Sequence, residues 1–206
     1  MYLPKQFNHP EHARSIILEN PFASLVSNDD EGFPFISHIP IKLMPHPTDA
    51  QQDMLLGHVA KGNPHAGFLY KRPQVLLTFM GPQAYMSPAV YPDLIRVPTW
   101  SYVAVHVKAE VRILEGEEAK DSLLKQLIAD HEPAYAQQWR GLPETYTHPM
   151  MNAIVAFEMK LLEVQTKVKL NQHRPEAHAA MHAAYDAGNE SEKALALWMR
   201  RLGLVS

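Results

Sequence analysis

Residues 57–64 read Gly-His-Val-Ala-Lys-Gly-Asn-Pro, a spacing that suits an anion. His58 and Lys61 supply donors, and the glycines allow close backbone approach. Asn63-Pro64 is a helix start, with Asn as cap and Pro at the first helical position. The free amides and positive dipole end of such a helix favour negative charge. The same eight residues also read as an ordinary capped loop carrying a solvated lysine. Ser37-His38 is a second candidate. In a regular strand these two side chains point to opposite faces, so one site can use both only across a bulge.

Residues 79–106, FMGPQAYMSPAVYPDLIRVPTWSYVAVH, set Pro82, Pro88, Pro92 and Pro98 among Phe79, Tyr85, Tyr91, Trp100 and Tyr102. Proline fixes φ and removes a backbone donor, which disfavours a helix interior or a central strand. The expectation is a long, stiff loop joining two strands. Its aromatic content argues against disorder. Such a loop offers a shaped surface to a flat, partly apolar ligand, although Trp100 could equally anchor the loop to the core.

Other chemistries lack their residues. With no cysteine there is no disulfide, thiolate nucleophile, iron–sulfur cluster or cysteine zinc site. Twelve histidines are present, yet none forms HExxH, and only His178 and His182 share a helix face at i, i+4. No GxSxG elbow, P-loop or GxGxxG occurs. We therefore expect no metal site and assign no catalytic residue. The formal charge of −3 argues against a free-standing nucleic-acid binder, which usually carries a basic stripe. A helix-turn-helix at the C-terminus would open its recognition helix Asn189-Glu190-Ser191-Glu192, the wrong sign for phosphates. A helical hairpin or dimerisation arm fits better.

Periodicity supplies the framework that holds these residues. A short helix is expected over 10–20, then a strand from Phe22 to Ser27, a turn at 28–32 and a return strand from Pro34 to Leu43. Residues 53–59 and 74–80 read as strands with a helix between them. The alternation over 101–114 buries Val103, Val105, Val107, Ala109, Val111 and Ile113 on one face. A helix over 117–131 turns Leu123, Leu124, Leu127 and Ile128 inward. A strand over 153–170 shifts apolar parity near Leu161-Leu162, as a bulge would cause. Residues 175–202 are helical, broken at 186–189. The fold class is mainly β with peripheral helices: a β-barrel domain over 1–174 and a helical C-terminal tail over 175–206. No apolar run approaches the ~20 residues of a membrane span. The first fifteen residues lack the order of a signal peptide, so a cytoplasmic protein is expected.

Seven stretches taken together resemble one family: NPFA at 20–23, GFPFISHIP at 32–40, LGHVAKGNP at 56–64, FMGPQAYMSPAVY at 79–91, VPTWSYVAVH at 97–106, AIVAFE at 153–158 and KVKLNQHRP at 167–175. They are similar, in order and spacing, to the PaiB-type family of FMN-binding negative transcriptional regulators. The resemblance implies an FMN-binding split β-barrel, like that of pyridoxamine-phosphate oxidases, forming a homodimer with flavin at the subunit interface. It makes Ser37, His38, His58 and Lys61 candidates for the FMN phosphate, with Asn63 beside them. Trp100 and Tyr102 become candidates for the flavin ring, and Gln172 for a polar contact near it. Three positions depart from the family pattern. Lys61 stands where arginine is usual and loses the bidentate fork. His173 replaces an asparagine and Ala109 a glycine.

The expected function is that of an FMN-binding regulatory protein. DNA contact is implied only by the resemblance. A flavin-dependent oxidoreductase on the same fold is the alternative, since flavin itself carries the hydride chemistry. A haem-binding split barrel and a direct DNA-binding repressor are further readings.

Overall fold

A computed structural model describes residues 1–206 apart from 47 and 94. It divides into two compact units. One, the terminal unit, comprises Met1–Asn20, Phe79–His106 and Val164–Ser206; the other, the central unit, comprises Pro21–Thr78 and Val107–Glu163. Seven strands form one sheet: β1 (Phe22–Asn28), β2 (Pro34–Pro40), β3 (Lys42–Met44), β4 (Met54–Ala60), β5 (Gln74–Met86), β6 (Thr99–Leu114) and β7 (Ile154–Lys169). Their order is β2-β1-β5-β6-β7-β4-β3. The long strands β5, β6 and β7 supply residues to both units.

In the central unit β1 and β2 form an antiparallel hairpin from Phe22↔Pro40 to Asn28↔Pro34. Asp29 closes its turn by accepting from the amides of Glu31 and Phe33, and Gly32 takes the positive φ of 89° that the turn needs. β4 pairs antiparallel with β3 and, from Met54↔Lys160 to Ala60↔Ile154, with β7. Leu25, Ile41, Leu55, Leu77, Phe157 and Met159 form its buried interior. Helix α2 (Pro64–Lys71) follows β4, and α3 (Glu117–His131) buries Leu123 and Leu127 against Leu56 and Ala156. Two more helices, α4 (Tyr135–Gly141) and α5 (Glu144–Asn152), complete the unit.

The terminal unit contains α1 (Ala13–Glu19) and the hairpin of α6 (His178–Asp186) and α7 (Glu190–Arg201). Ile16, Phe79, Met86, Val103, Leu170 and Leu195 are buried in it. Asn189 and Glu192 form a reciprocal capping box at the start of α7, where the sequence pattern showed only the wrong charge for DNA. None of the described helices is long and apolar enough to cross a membrane.

The long loop expected over 79–106 is shorter than that. β5 runs through Pro82 to Met86, a 3-10 turn follows at Pro88–Val90, and β6 begins at Thr99. On the β1 side the ladder covers only Leu76–Thr78, so Pro82 breaks no bond to β1. The neighbouring Gln83 amide donates to Ser191 Oγ at 2.9 Å, and the Ser191 hydroxyl donates to the Gln83 carbonyl at 2.7 Å. The single return strand expected from Pro34 to Leu43 is two strands, β2 and β3, at opposite ends of the strand order. Pro40 ends the first, while Ser37, Ile39, Ile41 and Leu43 all stay buried. Along β7 the odd-numbered Val155, Phe157, Met159 and Leu161 are buried, together with Ala156, which faces α3, and the even-numbered Thr166 and Val168 are buried further on; Leu162 itself is exposed.

Gly57 shows how closely the central interior is filled. A Cβ there would lie 2.8 Å from Ile41 Cδ1 and 3.1 Å from Phe157 Cε2. Overpacking of this kind costs about 1–3 kcal/mol. Gly57→Ala should lower the guanidinium unfolding midpoint accordingly without changing the slope; an unchanged midpoint would show that this contact is slack.

Candidate functional site

The central unit holds five of the candidate residues. His65, which is fully buried, lies between two serine hydroxyls: Ser27 Oγ is 2.9 Å from its Nε2 and Ser37 Oγ is 2.9 Å from its Nδ1. Asn63 Nδ2 donates to Ser37 Oγ at 3.0 Å, and Asn63 Oδ1 accepts from the His65 amide, capping α2. Ser37 and Asn63 are thus engaged with a histidine that motif spacing did not single out. A clue was present, because His65 lies two residues beyond the cap on the inward face of α2. His38 faces the other way, exposed, 3.0 Å from Ser24 Oγ and stacked on Phe22. His58 is partly buried in β4, and its buried Nδ1 meets no partner. Lys61 is exposed, its amide donating to the Ala153 carbonyl at 2.7 Å. A Cβ at Gly62 would meet nothing within 4 Å, so the backbone beside Lys61 is open to approach.

The remaining three lie in the terminal unit. Trp100 is 55% exposed, with Tyr85 against it edge to face at 6.2 Å. It lines a cavity of about 410 Å³ with Tyr91, Arg96, Thr99, Lys169 and Asn171 among its other walls. Tyr102 carries two ammonium groups over its ring, Lys167 at 5.1 Å and Lys169 at 5.9 Å. The Gln172 side chain turns inward: it accepts from the Leu170 amide and donates to the Val168 carbonyl. The platform expected from the aromatic run is therefore carried mainly by Trp100 and Tyr91, while Phe79 is core.

His9, Glu11 and His12 bring their ligand atoms within 4.8 Å of one another, a group that motif spacing did not reveal. The amide of Gln172 explains its present state. With Gln172 Nε2 3.3 Å from His9 Nε2, that ring nitrogen accepts. Nδ1 then carries the proton and donates to Glu11 Oε1 at 3.0 Å.

Burial lowers the pKa of His58 and His65, and likewise of His106, where the N-terminal ammonium adds to the effect. Burial also lowers Lys169, with Lys167 as a second cause.

Residues 1–163 match the family model described as "Putative FMN-binding domain". The chain belongs to this FMN-binding family. It is 31% identical over 185 residues to protease synthase and sporulation protein PAI 2 of Bacillus subtilis, covering 85% of this chain and 84% of that protein. The PaiB-type resemblance read from the motifs is thereby established, and FMN is the cofactor of the family's domain. Among solved structures the chain is similar to the flavocytochrome Anf3 of Azotobacter vinelandii, with TM-score 0.59, 14% identity, and 80% of this chain and 69% of that one covered. It is also similar to the FAD and heme binding protein of Mycobacterium smegmatis, with TM-score 0.58, 14% identity, and 79% and 72% covered. At such identities the likeness concerns fold, and the fold is the expected split barrel with helices around it.

The neutral histidines set a pH dependence. Their folded pKa values lie below the ordinary value, so the unfolded chain binds more protons below about pH 6.5. Their contribution to stability is complete above that pH and is lost as pH falls through it. Unfolding free energy from guanidinium titration should therefore be lower at pH 5.5 than at pH 7.5; equal values would mean that His58 and His65 are protonated in the fold.

Proposed function

We propose that this chain is an FMN-binding regulatory protein that works as a homodimer in the cytoplasm, with flavin at the subunit interface. The observation that carries this reading, beside family membership, is Trp100: a large ring more than half exposed, braced by Tyr85, in the wall of an open cavity. A tryptophan serving as an anchor would be covered. The fit to FMN is good in kind at both ends. His58 offers a buried ring nitrogen without a partner, and Lys61 an exposed ammonium beside open backbone. In this reading His58 and Lys61 of one subunit take the phosphate, and Trp100 and Tyr102 of the other flank the ring.

Ser37 and Asn63 act indirectly, by fixing the start of α2. His38 is held by Ser24 on the exposed face of β2. Gln172 holds the chain after β7 and steadies His9. Bound flavin supplies hydride and electron transfer chemistry. The residues of this chain bind it, orient it and limit water around it. Regulation through a partner or a flavin-dependent switch agrees better with the charge of −3 than direct DNA reading does. The helical arm 175–206 is then an attachment to the flavin domain rather than a DNA reader.

The open cavity beside Trp100 also favours a second reading, a flavin-dependent oxidoreductase with room for a second reactant. Steady NAD(P)H turnover with an acceptor would support it.

The test of the first reading is direct. FMN titrated into purified protein should lose fluorescence and saturate at one per chain, at the mass of two chains. Trp100→Ala should weaken binding at least about tenfold, roughly 1.4 kcal/mol. A colourless protein without affinity for FMN would overturn the reading.

A further inference from the structure

The cavity of the terminal unit has a chemistry that the flavin reading does not use. Its walls include Arg96, Lys169 and Arg174 and contain no carboxylate among the described residues. Arg96 has acidic partners at its back: Asp93 at 2.7 Å and Glu176 at 3.7 Å, the latter also 3.8 Å from Arg174. Lys169 has none. Its Nζ donates to Thr99 Oγ1 at 2.6 Å, and no carboxylate lies within 4 Å of it or of Lys167 among the described residues. The two ammonium groups share the ring of Tyr102, and Lys167 is nearly buried, donating to the Tyr2 carbonyl. Two half-desolvated like charges without an anion are costly.

Asn171 adds a second, independent sign. It is 6% exposed, yet its Nδ2 meets no acceptor. Its Oδ1 accepts from the Tyr91 hydroxyl at 3.1 Å, which fixes the amide with the unused donor outward from that bond. Arg96 Nε is likewise buried without a partner. Asn171 is also the non-glycine residue with positive φ among the described residues, at 61°. Asparagine tolerates that conformation better than most residues, but strain held at a cavity wall is a mark of function. Its carbonyl is secured by His178 Nε2 at 3.0 Å. The buried polar atoms of this cavity that lack a partner, Asn171 Nδ2 and Arg96 Nε, are thus both donors, and Trp100 presents a flat apolar face beside them.

We propose that this cavity is a binding site for a small aromatic carboxylate, with the carboxylate on Lys169 and the Asn171 amide and the ring against Trp100. A carboxylate supplies the two or three acceptor positions that these donors lack. The volume of about 410 Å³ is in the range of small-molecule sites. Lys169 and Asn171 are not residues assigned to FMN; Trp100 is the shared wall. Occupation of the site would place an effector or co-reactant at the edge of the flavin.

Calorimetric titration with 2-naphthoate tests this, alongside acetate and 2-naphthalenemethanol, which carry the anionic and ring halves separately. Both FMN-free and FMN-saturated protein are used. Naphthoate should bind at least tenfold more tightly than either half in both forms. Lys169→Met should weaken it tenfold or more. Asn171→Gly, which keeps the positive φ and removes only the amide, should weaken it severalfold with folding preserved. Binding that is equal in Lys169→Met, or absent at millimolar naphthoate, would overturn the proposal. Naphthoate lost on FMN saturation, together with FMN affinity lowered by Lys169→Met, would overturn it differently: the cavity would then be the flavin's own site and the flavin reading would stand. FMN binding that fails while naphthoate binds would leave this proposal intact and remove the other.

Discussion

The imidazole of His65, out of water and held between the hydroxyls of Ser27 and Ser37, fixes much of the geometry of the central unit. Burial keeps it neutral, so it must both give and accept one hydrogen bond, and the two serines provide for that. The three residues come from β1, β2 and α2. A partly satisfied polar group in such a place is expensive, which makes the arrangement specific as well as stable. Asn63 joins it through Ser37 and caps the helix with its other atom. The direction of α2, and with it the course of the His58–Asn63 turn, is therefore set from inside. Lys61 stays exposed, and His58 Nδ1 stays without a partner.

The terminal unit obeys the opposite rule. Around its cavity donors are held in place with capacity unused: Lys169 against Thr99, Asn171 against Tyr91 and His178. The His65 cluster closes its hydrogen bonds to define a scaffold, while the cavity keeps donors in reserve. Sites that bind anions are expected to look like the second, because an internal partner would compete with the ligand.

Much of the fold was legible in the sequence because period-two burial is a local property. The alternation of Val103, Val105, Val107 and Ala109 marked β6, and the parity from Ser37 to Leu43 survived even the break at Pro40. What failed was reasoning about proline without knowledge of neighbours. Pro82 sits in a strand beyond the end of the β1 pairing, a fact of pairing and not of composition. The helices α4 and α5 went unread; α5 holds Pro149 in its interior, a breaker in any local reading. Site residues were legible as types but not as states. Ser37 and Asn63 look like ligand donors until His65 is placed beside them, and no spacing rule links positions 27, 37 and 65. Lys169 and Asn171 were invisible because their distinction is what they lack, a carboxylate beside Lys169 and an acceptor for Asn171 Nδ2.

In the proposed complex flavin meets this chain at two places, its phosphate at His58 and Lys61 of one subunit and its ring at Trp100 of the other. A crystal structure of the protein grown with FMN is the decisive measurement. The expected result is a two-fold dimer, a phosphate oxygen within about 3.2 Å of His58 or Lys61, and the ring in van der Waals contact with Trp100. A flavin phosphate seated instead on Lys169 and Asn171, or a flavin wholly within one subunit, would contradict it.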